Sequence, residues 1–180
     1  VEYYIGGTWG QEKSSDKLNK FVRVFRGTDM EKALIGEVIS APTRYISSSQ
    51  LESRQLLPGD IIIEVSGGGK DQSTGRTMYV SQNLTNRTPS NSSVCASFCK
   101  LMRIKKDIVS PVFVFLFLQD LYDSKLISRF EVQSTGIKNF KFENFLDKQF
   151  INIPDPQSQK KFNNLCGEIF ELMHTIGALR

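Results

Sequence analysis

Apolar and polar positions change in short runs over the first third of the chain. Phe21-Val22-Arg23-Val24-Phe25 interleaves apolar and basic residues, as a half-buried strand does. Asp29 to Leu34 predicts a short helix with Asp29 as its N-cap. Pro58-Gly59-Asp60 signals a turn, and the β-branched run Ile61-Ile62-Ile63-Glu64-Val65 predicts a buried strand. Residues 1 to about 64 therefore read as short strands and turns. Residues 66–93 are rich in Ser, Thr, Asn, Gln and Gly, with one strand expected at Thr77–Val80. Such long polar loops often carry function in a compact domain.

Strand-like patterning resumes from Val94 to Ile104. Ser110-Pro111 fits an N-cap followed by proline at the first helical position. The run to Arg129 then sets Leu118, Leu121, Tyr122, Ile127 and Phe130 near helical spacing, although Val112 to Phe117 would also serve as a strand. Pro154 and Pro156 stop whatever precedes them. Beyond them Phe162, Leu165, Ile169, Leu172, Ile176 and Leu179 alternate three and four apart, widened by Cys166 and Met173. That is a coiled-coil seam, and it predicts pairing with another helix in preference to packing on its own domain.

Composition narrows the class. The chain has 180 residues, 39% hydrophobic and 23% charged, which fits one soluble globular domain. The longest apolar run, Pro111 to Leu118, falls well short of the roughly 18 residues of a membrane span, and no signal peptide opens the chain. A cytoplasmic protein without a membrane partner is expected. Cys95, Cys99 and Cys166 are odd in number and lack a second Cys or His pair, so they read as reduced thiols. The glycosylation-like triplets at Asn83, Asn86 and Asn91 read as polar-loop composition.

Charge adds a direction. The net charge is +4, but Lys70, Arg76, Arg87, Lys100, Arg103, Lys105 and Lys106 face only Asp71 between positions 70 and 106. That stretch is +6 and the remainder −2, a distribution suited to a polyanion.

Catalytic patterns fail on inspection. Ser66-Gly67-Gly68-Gly69-Lys70-Asp71 has Glu64 where a phosphate-binding loop needs its first Gly, and Asp71 where it needs Ser or Thr. Asp60 and Glu64 follow Pro58-Gly59 as in some nuclease metal sites, but Ser66 stands where the companion Lys belongs. The single histidine, His174, lies in the C-terminal helix. No Gly-rich cofactor fingerprint or methyltransferase motif occurs, so neither catalysis, metal nor cofactor is expected on this chain.

Base reading remains. Lys and Arg hold phosphates, while Asn, Gln, Ser, Thr and Arg read base edges. Lys70, Gln72, Arg76, Gln82, Asn83, Asn86, Arg87 and Asn91 lie in or beside the polar stretch, and Thr135, Gly136, Lys138 and Asn139 form a Gly turn carrying a cation.

One family unites these features. Thr135-Gly136-Ile137-Lys138-Asn139-Phe140, then Ile151-Asn152-Ile153-Pro154-Asp155-Pro156, then Gln159-Lys160-Lys161 resembles the end of a target recognition domain. That domain belongs to the specificity subunit of type I restriction–modification systems. Its motif runs approximately T-G-I-K-N-L, I-P-L-P-P, then a Glu-Gln-Lys-Lys helix start. Leu57-Pro58-Gly59-Asp60-Ile61-Ile62-Ile63 is similar to that family's L-x-x-G-D-I-I strand, and Ile108-Val109-Ser110-Pro111 to its helix-opening segment. Phe140, Asp155 and Ser158 depart mildly from the pattern.

The resemblance implies an α+β fold: a curved β-rich recognition domain with small helices over residues 1–153, then a long spacer helix from residue 154 to 180. It implies binding of double-stranded DNA at half of a bipartite site. Methyltransferase subunits, and through them restriction subunits, would be directed there. It implies a half-subunit, truncated or naturally single, that pairs with a second half or a second copy. Two other readings stay open: a recognition domain cut from a single-chain restriction–methyltransferase enzyme, and a helix-mediated protein-interaction adaptor.

Overall fold

A computed structural model describes residues 1–38, 40–67, 72–134 and 136–177, with the side chains of Ser134, Glu171 and His174 also left undescribed. Lys70, Thr135 and Leu179, all expected to be functional, lie outside the described residues. In chain order the elements begin with β1 (Tyr3–Gly6), β2 (Lys20–Phe25), α1 (Met30–Leu34), β3 (Thr43–Ile46) and α2 (Ser48–Arg54). Then come β4 (Ile61–Glu64), β5 (Ser66–Gly67), β6 (Thr77–Tyr79), α3 (Gln82–Asn86), β7 (Ser93–Cys95) and β8 (Cys99–Arg103). The last part holds α4 (Pro111–Asp123), β9 (Glu131–Ser134), β10 (Ile137–Phe140), α5 (Phe142–Lys148) and α6 (Pro156–Gly177). The class is α+β.

The apolar run 61–63 is uninterrupted because β4 is covered on both faces. It sits inside an antiparallel sheet of order β1-β8-β4-β6. Ile61 and Ile63 join Met102 and the α4 residues Val112, Phe115 and Leu118 in one core. Ile62 joins Met78, Leu101, Phe25 and Met30 in the other. Successive side chains point to opposite faces, so one strand serves two cores. A second sheet has order β3-β2-β7, with β2 and β7 parallel, and buries Val22, Val24, Ile46 and Val94. A third, of order β5-β10-β9, joins residues 66–67 to residues 131–140.

Several local expectations change. Asp29 does not cap α1; its carboxylate turns back to accept from the Arg26 backbone N–H at 2.9 Å and from its guanidinium at 2.8 Å, closing a 3-10 turn over Gly27–Asp29. α4 starts as expected, with Ser110 Oγ accepting from Phe113 N, but stops at Asp123. Lys125 adopts a left-handed conformation there (φ 60°), and Leu126–Phe130 continue as a 3-10 turn. Within 66–93, Ser81 accepts from Leu84 N at 3.0 Å and buries Leu84 and Thr85, so α3 replaces the expected loop. α2 opens with a capping box, Ser47 Oγ accepting from Gln50 N and Gln50 Oε1 accepting from Ser47 N, a signal carried by the Ser47-x-x-Gln50 spacing.

The C-terminal helix departs most from expectation. Its apolar stripe divides. Phe170 is buried, and Phe162 and Cys166 pack on the α4 core; the Phe170 ring lies 5.5 Å from Phe115 and 5.6 Å from Tyr79. Leu165, Ile169, Leu172, Met173 and Ile176 remain exposed. At 100° per residue these two sets adjoin, so one broad stripe rests on the domain along one edge and faces solvent along the other. Over these residues α6 lies along α4 and α3, not as a helix projecting free of the globule. Among the described residues no helix is long and apolar enough to cross a membrane.

Candidate nucleic-acid interface

β9 and β10 form a hairpin whose tip is Gly136. Ile137 pairs with Ser134, and the register continues through Lys138↔Gln133, Asn139↔Val132 and Phe140↔Glu131. Gly136 takes φ +87°, and nothing lies within 4 Å of the position its Cβ would occupy. The tip therefore needs Gly for conformation, not for space. Alternation divides the ribbon into two faces. Val132, Ile137 and Asn139 share the solvent face and are exposed. Glu131, Lys138 and Phe140 share the underside, where Phe140 enters the core. Gln133, opposite Lys138, belongs to the underside by register but is exposed near the tip.

The hairpin is fastened to the polar stretch from both faces. Glu131 Oε1 accepts from Thr74 N at 2.5 Å and from Thr74 Oγ1 at 3.2 Å. Lys138 Nζ donates to Gln72 O at 3.1 Å and lies 3.7 Å from Glu131 Oε2, with only 14% of its side chain exposed. Asn139 Oδ1 accepts from Ser66 Oγ at 2.9 Å. Gln72, Lys138 and Asn139 are thus brought together at the β5-β10-β9 sheet, whose hairpin turns at Gly136. Lys138 is committed to Gln72 and Glu131, so its part is to hold the hairpin on the 72–74 segment.

The other expected residues stand elsewhere. Gln82 and Asn86 are exposed on α3 and bond to each other at 2.9 Å. Asn83 donates toward Thr175 of α6, and Arg87 Nη1 donates to Gly36 O at 2.7 Å. These four belong to the α3–α6 side, separate from the hairpin sheet. The polar stretch 66–93 therefore divides between these two regions. Asn91 is exposed in a 3-10 turn over Pro89–Asn91.

Folding also dilutes the basic stretch. Arg76 forms a two-bond pair with Glu64 (2.9 and 2.7 Å), Arg103 pairs with Asp60 (2.8 and 2.8 Å), and Lys100 with Glu143 (2.7 Å). Each acid comes from outside positions 70–106, so the stretch's excess of six positive charges falls to three. The Asp60 and Glu64 side chains are 1% and 5% exposed and each is taken by an arginine. Hydrogen bonding to these carboxylates raises the pKa of Arg76 and of Arg103 above the ordinary value. Among the described residues no group of three His, Cys, Asp or Glu could hold a metal ion.

Behind the hairpin lies a cleft of about 800 Å³ that the sequence did not reveal. Trp9, Arg26, Glu64, Gln72, Arg76 and Phe98 line it, with Ser66 and Gly67 on its rim toward β10. Phe98 is 65% exposed, and the Arg44 guanidinium sits 4.8 Å from the Trp9 ring centroid. The one readable signal was a lone tryptophan in Gly7-Thr8-Trp9-Gly10, which no periodic pattern buries.

The thiols of Cys95 and Cys99 are buried, which pushes Cys95 up to about 12 and Cys99 further still. Both are held protonated and serve as core packing. No protein-family model matches the chain, and no curated protein matches it.

Proposed function

We propose that this chain is a DNA sequence-recognition module, half of a type I restriction–modification specificity subunit. It would direct partner methyltransferase and restriction subunits to a bipartite site. The observation that carries this reading is the β9–β10 hairpin. A two-stranded ribbon fits the major groove, where Asn reads adenine and apolar groups contact the thymine methyl. Val132, Ile137 and Asn139 occupy the solvent face of such a ribbon, with Gln133 near its tip.

The second reading, a helix-mediated adaptor, is favoured by the exposed edge of α6, Leu165-Ile169-Leu172-Ile176. Within the first reading this edge is the seam for a second spacer helix, of coiled-coil type, from another half-subunit or a second copy. A contiguous exposed apolar edge of this kind is the feature that interaction surfaces carry.

Duplex binding distinguishes the two. Anisotropy of a labelled duplex should show an affinity whose log–log salt slope is about −3, not the roughly −5 that six free cations would give. Asn139→Ala should alter preference at one base pair, by about 1–3 kcal/mol if it is a bidentate reader. Lys138→Ala should weaken binding of all sequences together by loosening the hairpin from Gln72 and Glu131. No binding at low salt would leave the adaptor reading in possession.

A further inference from the structure

The cleft behind the hairpin has a chemistry of its own. Its volume, about 800 Å³, falls within the roughly 300–1,000 Å³ of small-molecule sites. Its charges cancel. Arg26 Nε and Nη2 bond Asp29, and Arg76 Nε and Nη2 bond Glu64, so each guanidinium is neutralised where it stands. Among the described lining residues no net charge remains to draw a phosphate or carboxylate. What remains is hydrogen-bonding capacity: neither Arg26 Nη1 nor Arg76 Nη1 makes a hydrogen bond among the described residues. The Gln72 side chain adds an amide, and Trp9 and Phe98 add aromatic surface.

The floor is built for this arrangement. A Cβ on Gly27 would lie 2.1 Å from Glu64 Oε1, and one on Gly67 would lie 2.7 Å from the same atom. Glycine at both positions lets the Glu64 carboxylate reach between the two loops and fix Arg76. An arginine so held offers Nη1 at a fixed angle, while its charge is already spent on Glu64.

A ligand matching these features is neutral, planar and rich in hydrogen-bond acceptors. We infer that the cleft binds a nucleobase, stacked on its aromatic wall and read by the free arginine N–H groups and Gln72. Base–aromatic stacking tolerates any base, and the rim donors select among them. The base has two possible sources, a free nucleoside or an unpaired base of a DNA strand. The inference stands apart from the recognition-module reading, because the hairpin's solvent face takes no part in it.

Trp9 is the only tryptophan in the chain, so its fluorescence reports the cleft directly. The test titrates the protein with adenosine, guanosine, cytidine and thymidine. Parallel titrations use two duplexes, one fully paired and one with a single bulged base, each also followed by anisotropy. Saturable quenching by a nucleoside assigns the cleft to free nucleosides. Quenching by the bulged duplex, but by neither the paired duplex nor any nucleoside, assigns it to an unpaired base. In either case Phe98→Ala, at an exposed position that leaves the fold intact, should weaken the quenching ligand about tenfold. Absence of saturable quenching in every titration, or quenching that Phe98→Ala leaves unchanged, overturns the inference. Anisotropy keeps the two proposals separate: duplex binding with a silent Trp9 sinks the cleft and spares the hairpin.

Discussion

Glu64→Ala is expected to lower the free energy of unfolding by about 3–5 kcal/mol, because it breaks a buried ion pair from one side. Glu64 is 5% exposed at its side chain and Arg76 13%. Removing the carboxylate leaves a guanidinium that meets solvent only through the cleft, with its Glu64-facing N–H groups unpaired, and empties the space that Gly27 and Gly67 keep for Oε1. The contrast is Glu143→Ala, which loses a 2.7 Å pair with Lys100 but from a side chain 64% exposed. Solvent screens that pair, and its loss should cost less than about 1 kcal/mol. The double variant Glu64→Ala with Arg76→Ala should be less destabilised than the sum of the two singles, since the second change removes the stranded charge. Chemical denaturation of the intact chain and of the four variants, Arg76→Ala included, checks this. A Glu64→Ala effect as small as that of Glu143→Ala would show that water reaches the cleft floor.

The second large effect concerns α6. Phe170→Ala should cost about 3–5 kcal/mol, as for other buried phenylalanines. Its ring meets Phe115 and Tyr79 and ties the helix to the core. Ile169, one residue before, is 48% exposed and Ile176 49%. Ile169→Asp with Ile176→Asp should leave the denaturation midpoint almost in place, within about 0.5 kcal/mol for each change. It should nevertheless abolish any self-association seen by sedimentation, because the apolar edge is broken. A double variant that unfolds would mean that the edge packs on its own domain.

Local signals in the sequence survived folding, and non-local ones did not. Ile61–Ile63, Phe21–Phe25 and Ser110-Pro111 declared their elements because period, β-branching and capping act over a few residues. The turn at Gly136 was legible for the same reason, though not the two strands it joins. Its sheet was not: β5 meets β10 across more than seventy positions, and nothing in Ser66-Gly67 announces Asn139. The same applies to charge. A run of bases can be counted, but Asp60, Glu64 and Glu143 are matched to Arg103, Arg76 and Lys100 only by the β1-β8-β4-β6 sheet and the packing around it. The α6 stripe was visible as a stripe; its division into a docked edge and an exposed edge required α4 beside it. The cleft drew on Trp9, Arg26, Glu64 and Phe98, residues scattered over ninety positions without a shared motif.

Base reading by the hairpin is tested by selection from a pool of randomised duplexes, carried out with the intact chain and with Asn139→Ala and Ile137→Ala. Base reading by the hairpin requires that the intact chain enrich one short motif, and that each hairpin variant relax preference at a definite position of that motif while the rest persists. Enrichment of no motif, or one motif unchanged in both variants, would contradict it.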